Sequence, residues 1–280
     1  MKKIITLSIC LCIIGFTANA QNSKSALNYL NFVSKEQKKI TKSMWNYTKA
    51  IAHSKSDRNI RNKRKVLLKT VDKAILKIKK SKGFKGDKFK NEVIAHLTLN
   101  KNILNNDYGK VIDMKEVAEQ SYDLMEAYFL ARKLADKKLE ESQTTYEKNY
   151  YTFATENNIK IIENETDLSK KMKIANTVFD YYDEMYLLFF KVQVQESNLW
   201  GAIKANDINT IQQNTNSLNT LAKEGLEKLT TIKPYKKDNS LLKITEKIFQ
   251  NYIDVSENKI AKITDFLILN EDFNKLKKVV

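Results

Sequence analysis

Six glycines and one proline in 280 residues constrain this chain more than any motif it carries. Strands form compact layers only when turns reverse them at short intervals, and such turns draw on glycine and proline. A chain this poor in both has little means to build a sandwich or barrel. Long helices joined by few, polar connections remain. Charged residues, 29% of the chain, suit the wide solvated faces such helices present. The expected fold is all-α: an elongated helical bundle of six to eight helices. It forms one body over residues 21–280, or two packed sub-bundles that part near residues 158–167.

The apolar pattern places the helices. Leu30, Val33, Gln37, Ile40, Met44, Tyr47 and Ile51 step by threes and fours, the seam of a bundle helix over 26–53. Ile60, Leu67, Val71, Ala74 and Ile78, widened by Leu68 and Ile75, make a second seam over 58–80, with Asp57 as N-cap. A third helix runs over 88–105 after an Asp87 cap, and residues 105–109 read as a turn. The Asp113–Glu116 spacing resembles a capping box that opens the longest helix, 113–157. Its apolar face includes Val117, Ser121, Leu124, Tyr128, Ala131 and Ala135, and later Leu139, Tyr146, Tyr150 and Phe153. Residues 159–162 read as extended. Thr166 or Asp167 starts a helix to about 205, Asp207 restarts one that ends before Pro234, and Ser240 starts the last helical region.

The first twenty residues read as an export signal. Lys2 and Lys3 give a positive start, Ile4 to Phe16 an apolar run of thirteen residues, and Ala18-Asn19-Ala20 a small-x-small cleavage site before Gln21. The run is too short for a stable anchor, and no later run approaches the ~18 residues that a membrane span needs. Cys10 and Cys12 lie inside the apolar run and follow large residues, which argues against lipidation. The processed chain then has no cysteine, hence no disulfide, and depends on apolar burial. The expected location is exported: periplasm, or cell surface and beyond.

Charge is unevenly spread. Between Gln21 and Lys110 stand 23 Lys and Arg against 6 Asp and Glu; from Val111 to Val280 the counts are 24 and 27. The formal charge of +16 therefore belongs to the first third. At ~100° per residue, Arg58, Arg61, Lys65, Lys69, Lys73, Lys77 and Lys80 fall within about 160° of one another on the second helix, opposite its seam. Lys63, Arg64 and Lys79 widen the zone. Such a row can hold a polyanion through many weak contacts. A solvated face in a lysine-rich chain is the competing account. Lysine dominance argues against sequence-specific nucleic-acid reading, which favours Arg, Asn and Gln at base edges.

Other chemistry is thin. His53 and His96 are the only histidines, too few for a structural zinc site or a paired Glu-x-x-His di-iron bundle. His96 fits the edge of a core, bonded to Glu92 or a carbonyl, and His53 the last turn of its helix. Glu119, Asp123 and Glu126 share one helix face, and Asp180, Asp183 and Glu184 cluster among tyrosines. Convergence of the two sets would give a cation site or an acid–base pair; solvated stripes are the alternative. Met185 to Phe190, apolar all round, reads as a central helix segment. No phosphate loop or activated nucleophile is present, and no cofactor is expected.

Several segments together resemble an uncharacterised family of secreted or surface-exposed all-helical proteins of Bacteroidota and Leptospira. They are Ala50-Ile51-Ala52-His53-Ser54, Ala118-Glu119-Gln120-Ser121-Tyr122-Asp123 with Met125-Glu126-Ala127-Tyr128, Phe153-Ala154 before Asn157-Asn158-Ile159, and Tyr186-Leu187-Leu188-Phe189-Phe190-Lys191. The resemblance implies an exported helical protein and carries no activity. The function expected is that of a non-catalytic envelope or surface protein whose partner is an anionic envelope polymer or another protein. The rival is a small-ligand or metal-binding bundle, or an enzyme, built on the carboxylate clusters.

Overall fold

A computed structural model describes residues 11–13, 22–54 and 56–277, and among these the chain is almost wholly helical. The helices are α1 (Asn22–His53), α2 (Asp57–Lys80), α3 (Lys88–Asn102), α4 (Tyr108–Ala118), α5 (Tyr122–Glu156), α6 (Asp167–Ala205), α7 (Ile208–Leu229), α8 (Ser240–Asp254) and α9 (Ile260–Lys277). Wide π turns at Ile103–Asp107 and Val255–Lys259 join α3 to α4 and α8 to α9 without a break. The described residues therefore hold seven continuous helical runs, an all-α bundle of packed helix pairs. Two three-residue strands, β1 (Leu11–Ile13) and β2 (Ile162–Asn164), pair antiparallel. β1 lies within the segment read as an export signal. The positive start, the cleavage site and Gln21 lie outside the described residues.

Helix ends follow local chemistry. Ser56, not Asp57, caps α2: its Oγ accepts from the Asn59 amide at 3.4 Å, and Asp57 sits one residue inside the helix. Thr166 caps α6 through the Ser169 amide at 3.1 Å, and Asp207 caps α7 through the Thr210 amide at 3.1 Å. Asn158 and Asn206 take left-handed φ values of 54° and 55°. Each lets the following amide reach back across the helix end, Ile159 to the Ala154 carbonyl at 2.8 Å and Asp207 to that of Ala202 at 3.2 Å.

Several expectations need correction. The asparagine-rich stretch 105–109 is not a turn but a π turn continuing into α4. Asp113 falls inside α4 and opens no helix. The real start is Ser121, whose Oγ accepts from the Leu124 amide at 3.3 Å; its side chain competes with the backbone and breaks the run. The buried face stands one residue from the expected one on both sides of that break: Ala118 and Met125 are buried while Val117 and Leu124 are exposed. The longest helix is α6, at 39 residues. Ile51 ends the α1 seam in solvent.

The chain forms two compact units. The first comprises residues 1–117 with 127–177, the second residues 118–126 with 178–280. The parting lies inside α6 and not at 158–167, because Ile159 and Ile161 of that connection pack into the first core. In the first unit Leu30, Val33, Leu67, Ile78 and Leu97 are fully buried, and Phe89 stacks on Phe153 with ring centroids 4.4 Å apart. In the second, Leu199, Ile211, Leu218 and Phe249 form the centre. Gly225 of α7 meets the Phe249 ring so closely that a β-carbon there would lie 2.6 Å from it. Within the run Met185 to Phe190 the two ends are buried and the four residues between are half-buried.

Candidate anion-binding face

Helix α2 is held by one face. Ile60, Leu67, Val71, Ala74, Ile75 and Ile78 are buried in the first core, which turns the opposite side outward. Arg58, Lys65, Lys69, Lys73, Lys77 and Lys80 are exposed and Arg61 is half-buried, so one seam orients the whole basic row. The row spans about 33 Å, at ~1.5 Å rise per residue.

Two of its seven members serve the fold. Arg61 Nη1 lies 3.7 Å from Asp113 Oδ1, and Lys77 Nζ lies 3.3 Å from Glu36 Oε1. Glu36 is almost fully buried and also pairs with Lys39. Burial pushes its pKa up, but the hydrogen bonds from Lys39 and Lys77 outweigh this and hold it below the usual carboxylate value. Arg58, Lys65, Lys69, Lys73 and Lys80 have no ion-pair partner among the described residues. The two acids within the helix are taken from other helices, Asp57 by Lys115 at 3.3 Å and Asp72 by Lys101 at 2.7 Å. Of the flanking cations, Lys63 and Lys79 are exposed.

Arg64 is not part of the positive zone. Its Nε donates to the Leu104 carbonyl at 2.9 Å and its Nη2 to that of Asn105 at 2.8 Å. A π turn leaves carbonyls outside the regular ladder, and a guanidinium with a fixed fork can serve two of them. The sequence carried the signal. Arg64 stands in the seam slot between Ile60 and Leu67, where a charged residue calls for a partner.

His96 lies in the first core, 7% exposed, stacked on Tyr146 at 4.6 Å. Its partners are Ser142 and Asn100, not Glu92. Nδ1 is 3.2 Å from the Ser142 carbonyl and 2.9 Å from Ser142 Oγ, and the Asn100 amide nitrogen is 3.2 Å from Nε2. A neutral ring with the proton on Nδ1 satisfies this arrangement. Burial pushes its pKa down to about 4. Beside it is a cavity of about 30 Å³ whose polar walls are Gln37, His96, Asn100 and Gln143. It has room for a water molecule or two. Small-molecule sites run to about 300–1,000 Å³.

The carboxylates of both expected clusters belong to the second unit. Glu119, Asp123, Glu126, Asp180 and Glu184 are exposed and Asp183 is half-buried. Tyr122 donates to Glu126 at 3.3 Å. Among the described residues no group of three or more His, Cys, Asp or Glu side chains is placed to hold a metal ion. His53 is exposed at the end of α1. No described helix is long and apolar enough to cross a membrane.

No protein-family model, no curated protein and no solved structure matches this chain.

Proposed function

We propose that this chain is an exported, non-catalytic protein of the cell envelope or surface that holds an anionic polymer on the outer face of α2. The observation that carries this reading is the row of five exposed cations without ion partners on one helix face. Salt-linked lysines are already engaged; unpaired ones at i, i+4 spacing repel one another and cost the helix a few tenths of a kcal/mol per pair. A surface that bears this cost gains it back when phosphates, sulfates or carboxylates bridge the row. Export follows from the leader-like first twenty residues and from the family resemblance; cleavage after Ala20 would separate β1 from β2. The exposure of the carboxylate clusters and the small size of the cavity beside His96 weigh against the ligand-bundle and enzyme alternatives.

The test is binding to a soluble polyanion, inorganic polyphosphate, across a salt series. Affinity should fall steeply with salt, because each neutralised phosphate releases counterion. Changing Lys65, Lys69, Lys73 and Lys80 together to Gln should remove most of it and leave the helical signal and melting temperature near their original values. Lys77 is left alone because it serves Glu36. The control is Lys228, Lys233, Lys237 and Lys243 to Gln, four exposed lysines of the second unit. Equal losses from both sets, or no binding at about 50 mM salt where such contacts are strong, would refute the proposal.

A further inference from the structure

The basic face of α2 is not purely basic. Leu76 is 56% exposed and Val66 54% exposed. With Lys65 as origin and ~100° per residue, Leu76 stands at about 20°, Lys69 at about 40°, Lys80 at about 60°, Lys73 at about 80° and Val66 at about 100°. Both apolar side chains therefore project from within the cationic row. The apolar seam of the helix is already satisfied in the core, so these two residues add nothing to packing there.

We infer that the anionic partner of α2 is a lipid surface, which the helix meets edge-on without inserting. This rests on the reading of α2 as an anion-binding face, and takes the source of the anions to be a leaflet in place of a free polymer. A hydrophilic polymer offers phosphates or sulfates to the lysines but nothing to Leu76 and Val66. An anionic leaflet offers both: headgroup charge at the level of the ammonium groups, and acyl carbon just beneath. Lysine suits that boundary, because its four-carbon stem lies along apolar surface while its ammonium stays at the wet level. Insertion of the whole helix is excluded by its own seam, since lifting Leu67, Val71 and Ile78 out of the first core would unfold the unit. The contact is peripheral: five charges and two apolar anchors along one straight face.

The experiment compares the full chain with a Val66→Ser, Leu76→Ser double variant. The ligands are vesicles of phosphatidylglycerol and phosphatidylcholine, vesicles of phosphatidylcholine alone, and inorganic polyphosphate. The neutral vesicles set a baseline for capture by the apolar run at residues 4–16. Both substituted positions are exposed, and circular dichroism checks that the fold is kept. The original chain should prefer anionic over neutral vesicles. The double variant should lose that preference about tenfold, the scale of two apolar side chains withheld from acyl carbon, and should keep polyphosphate binding within about twofold. Undiminished vesicle preference in the double variant, or polyphosphate binding without any preference for anionic vesicles, overturns the lipid inference and leaves the anion-binding face standing. Vesicle preference that survives Lys65, Lys69, Lys73 and Lys80 to Gln overturns it by placing capture elsewhere. Binding to neither anionic ligand overturns both readings together.

Discussion

The two units are built from the same material and treat their surfaces differently. Both units tie lysines of one helix to acids of another: Lys101 to Asp72 at 2.7 Å and Lys115 to Asp57 at 3.3 Å in the first, Lys191 to Glu224 at 3.5 Å and Lys223 to Glu257 at 2.7 Å in the second. In the first, α2 exposes a row of cations that neighbouring acids leave alone, and the acids that do approach it bind Arg61 and Lys77. Both units fold around buried apolar clusters to which the exposed lysines of the row do not belong. What the contrast teaches is that the unpaired row is a surface property laid over a core that would form without it.

The π turns differ as well. In the second unit Ser256 Oγ of the turn Val255–Lys259 donates to the Tyr252 carbonyl at 2.7 Å, and the Glu257 side chain accepts from Asn219 at 3.1 Å and from Lys223 at 2.7 Å, both on α7. In the first, the turn Ile103–Asp107 depends on Arg64, some forty residues away. In the first unit a distant side chain therefore holds the turn's own backbone carbonyls, and three measurements probe how the two units differ.

Acid should separate the units most. His96 is held neutral with a pKa near 4, against about 6.5 in an unfolded chain. Because the folded pKa is depressed, its contribution is complete above about pH 6.5 and is lost as pH falls toward 4, where the unfolded chain binds the proton that the folded one refuses. The loss approaches about 3 kcal/mol. Hydrogen exchange followed by helix should show α3 opening between those pH values before α8 does. His96→Gln should flatten the trend, and equal acid sensitivity of α3 and α8 in the original chain would contradict it.

Arg64→Leu ranks next. It fills the seam slot with an apolar side chain but strips two charge-assisted hydrogen bonds from the π turn, for a cost of about 2 kcal/mol. Denaturant unfolding should register this, with exchange speeding at residues 103–107 and not at 255–259. Gly225→Ala should have the smallest effect and fall on the second unit. The added methyl meets the buried Phe249 ring, an overpacking cost of about 1–3 kcal/mol, partly offset by the ~1 kcal/mol that alanine gains over glycine in a helix. A stability increase would mean that the ring moves aside freely.

Much of the architecture was legible in the sequence because it rests on periodicity. The α2 seam from Ile60 to Ile78 and the helix starts at Thr166 or Asp167 and at Asp207 are local statements, and the structure agrees with them. Errors fell where two local signals competed. Asp113 has the spacing of a helix start, yet α4 runs through it from the π turn before it, and the next start is Ser121, eight residues on. Asn105 to Gly109 had turn composition, but Arg64 satisfied the freed carbonyls and let the helix run through. The basic row was legible as a row; which members are engaged was not, because Glu36 and Asp113 reach it from other helices.

The sequence by itself determined the helical class, the seams and the side of α2 that faces out, since these follow from a 3.6-residue period and from scarce glycine and proline. Only the tertiary structure decided that Arg64 is a clamp, that Lys77 guards a buried carboxylate, that His96 is locked neutral beside Ser142, and that Leu76 and Val66 stay uncovered among the lysines. Each of these depends on which distant residue comes within a few ångströms, and hydrogen bonds, ion pairs and burial act only at that range.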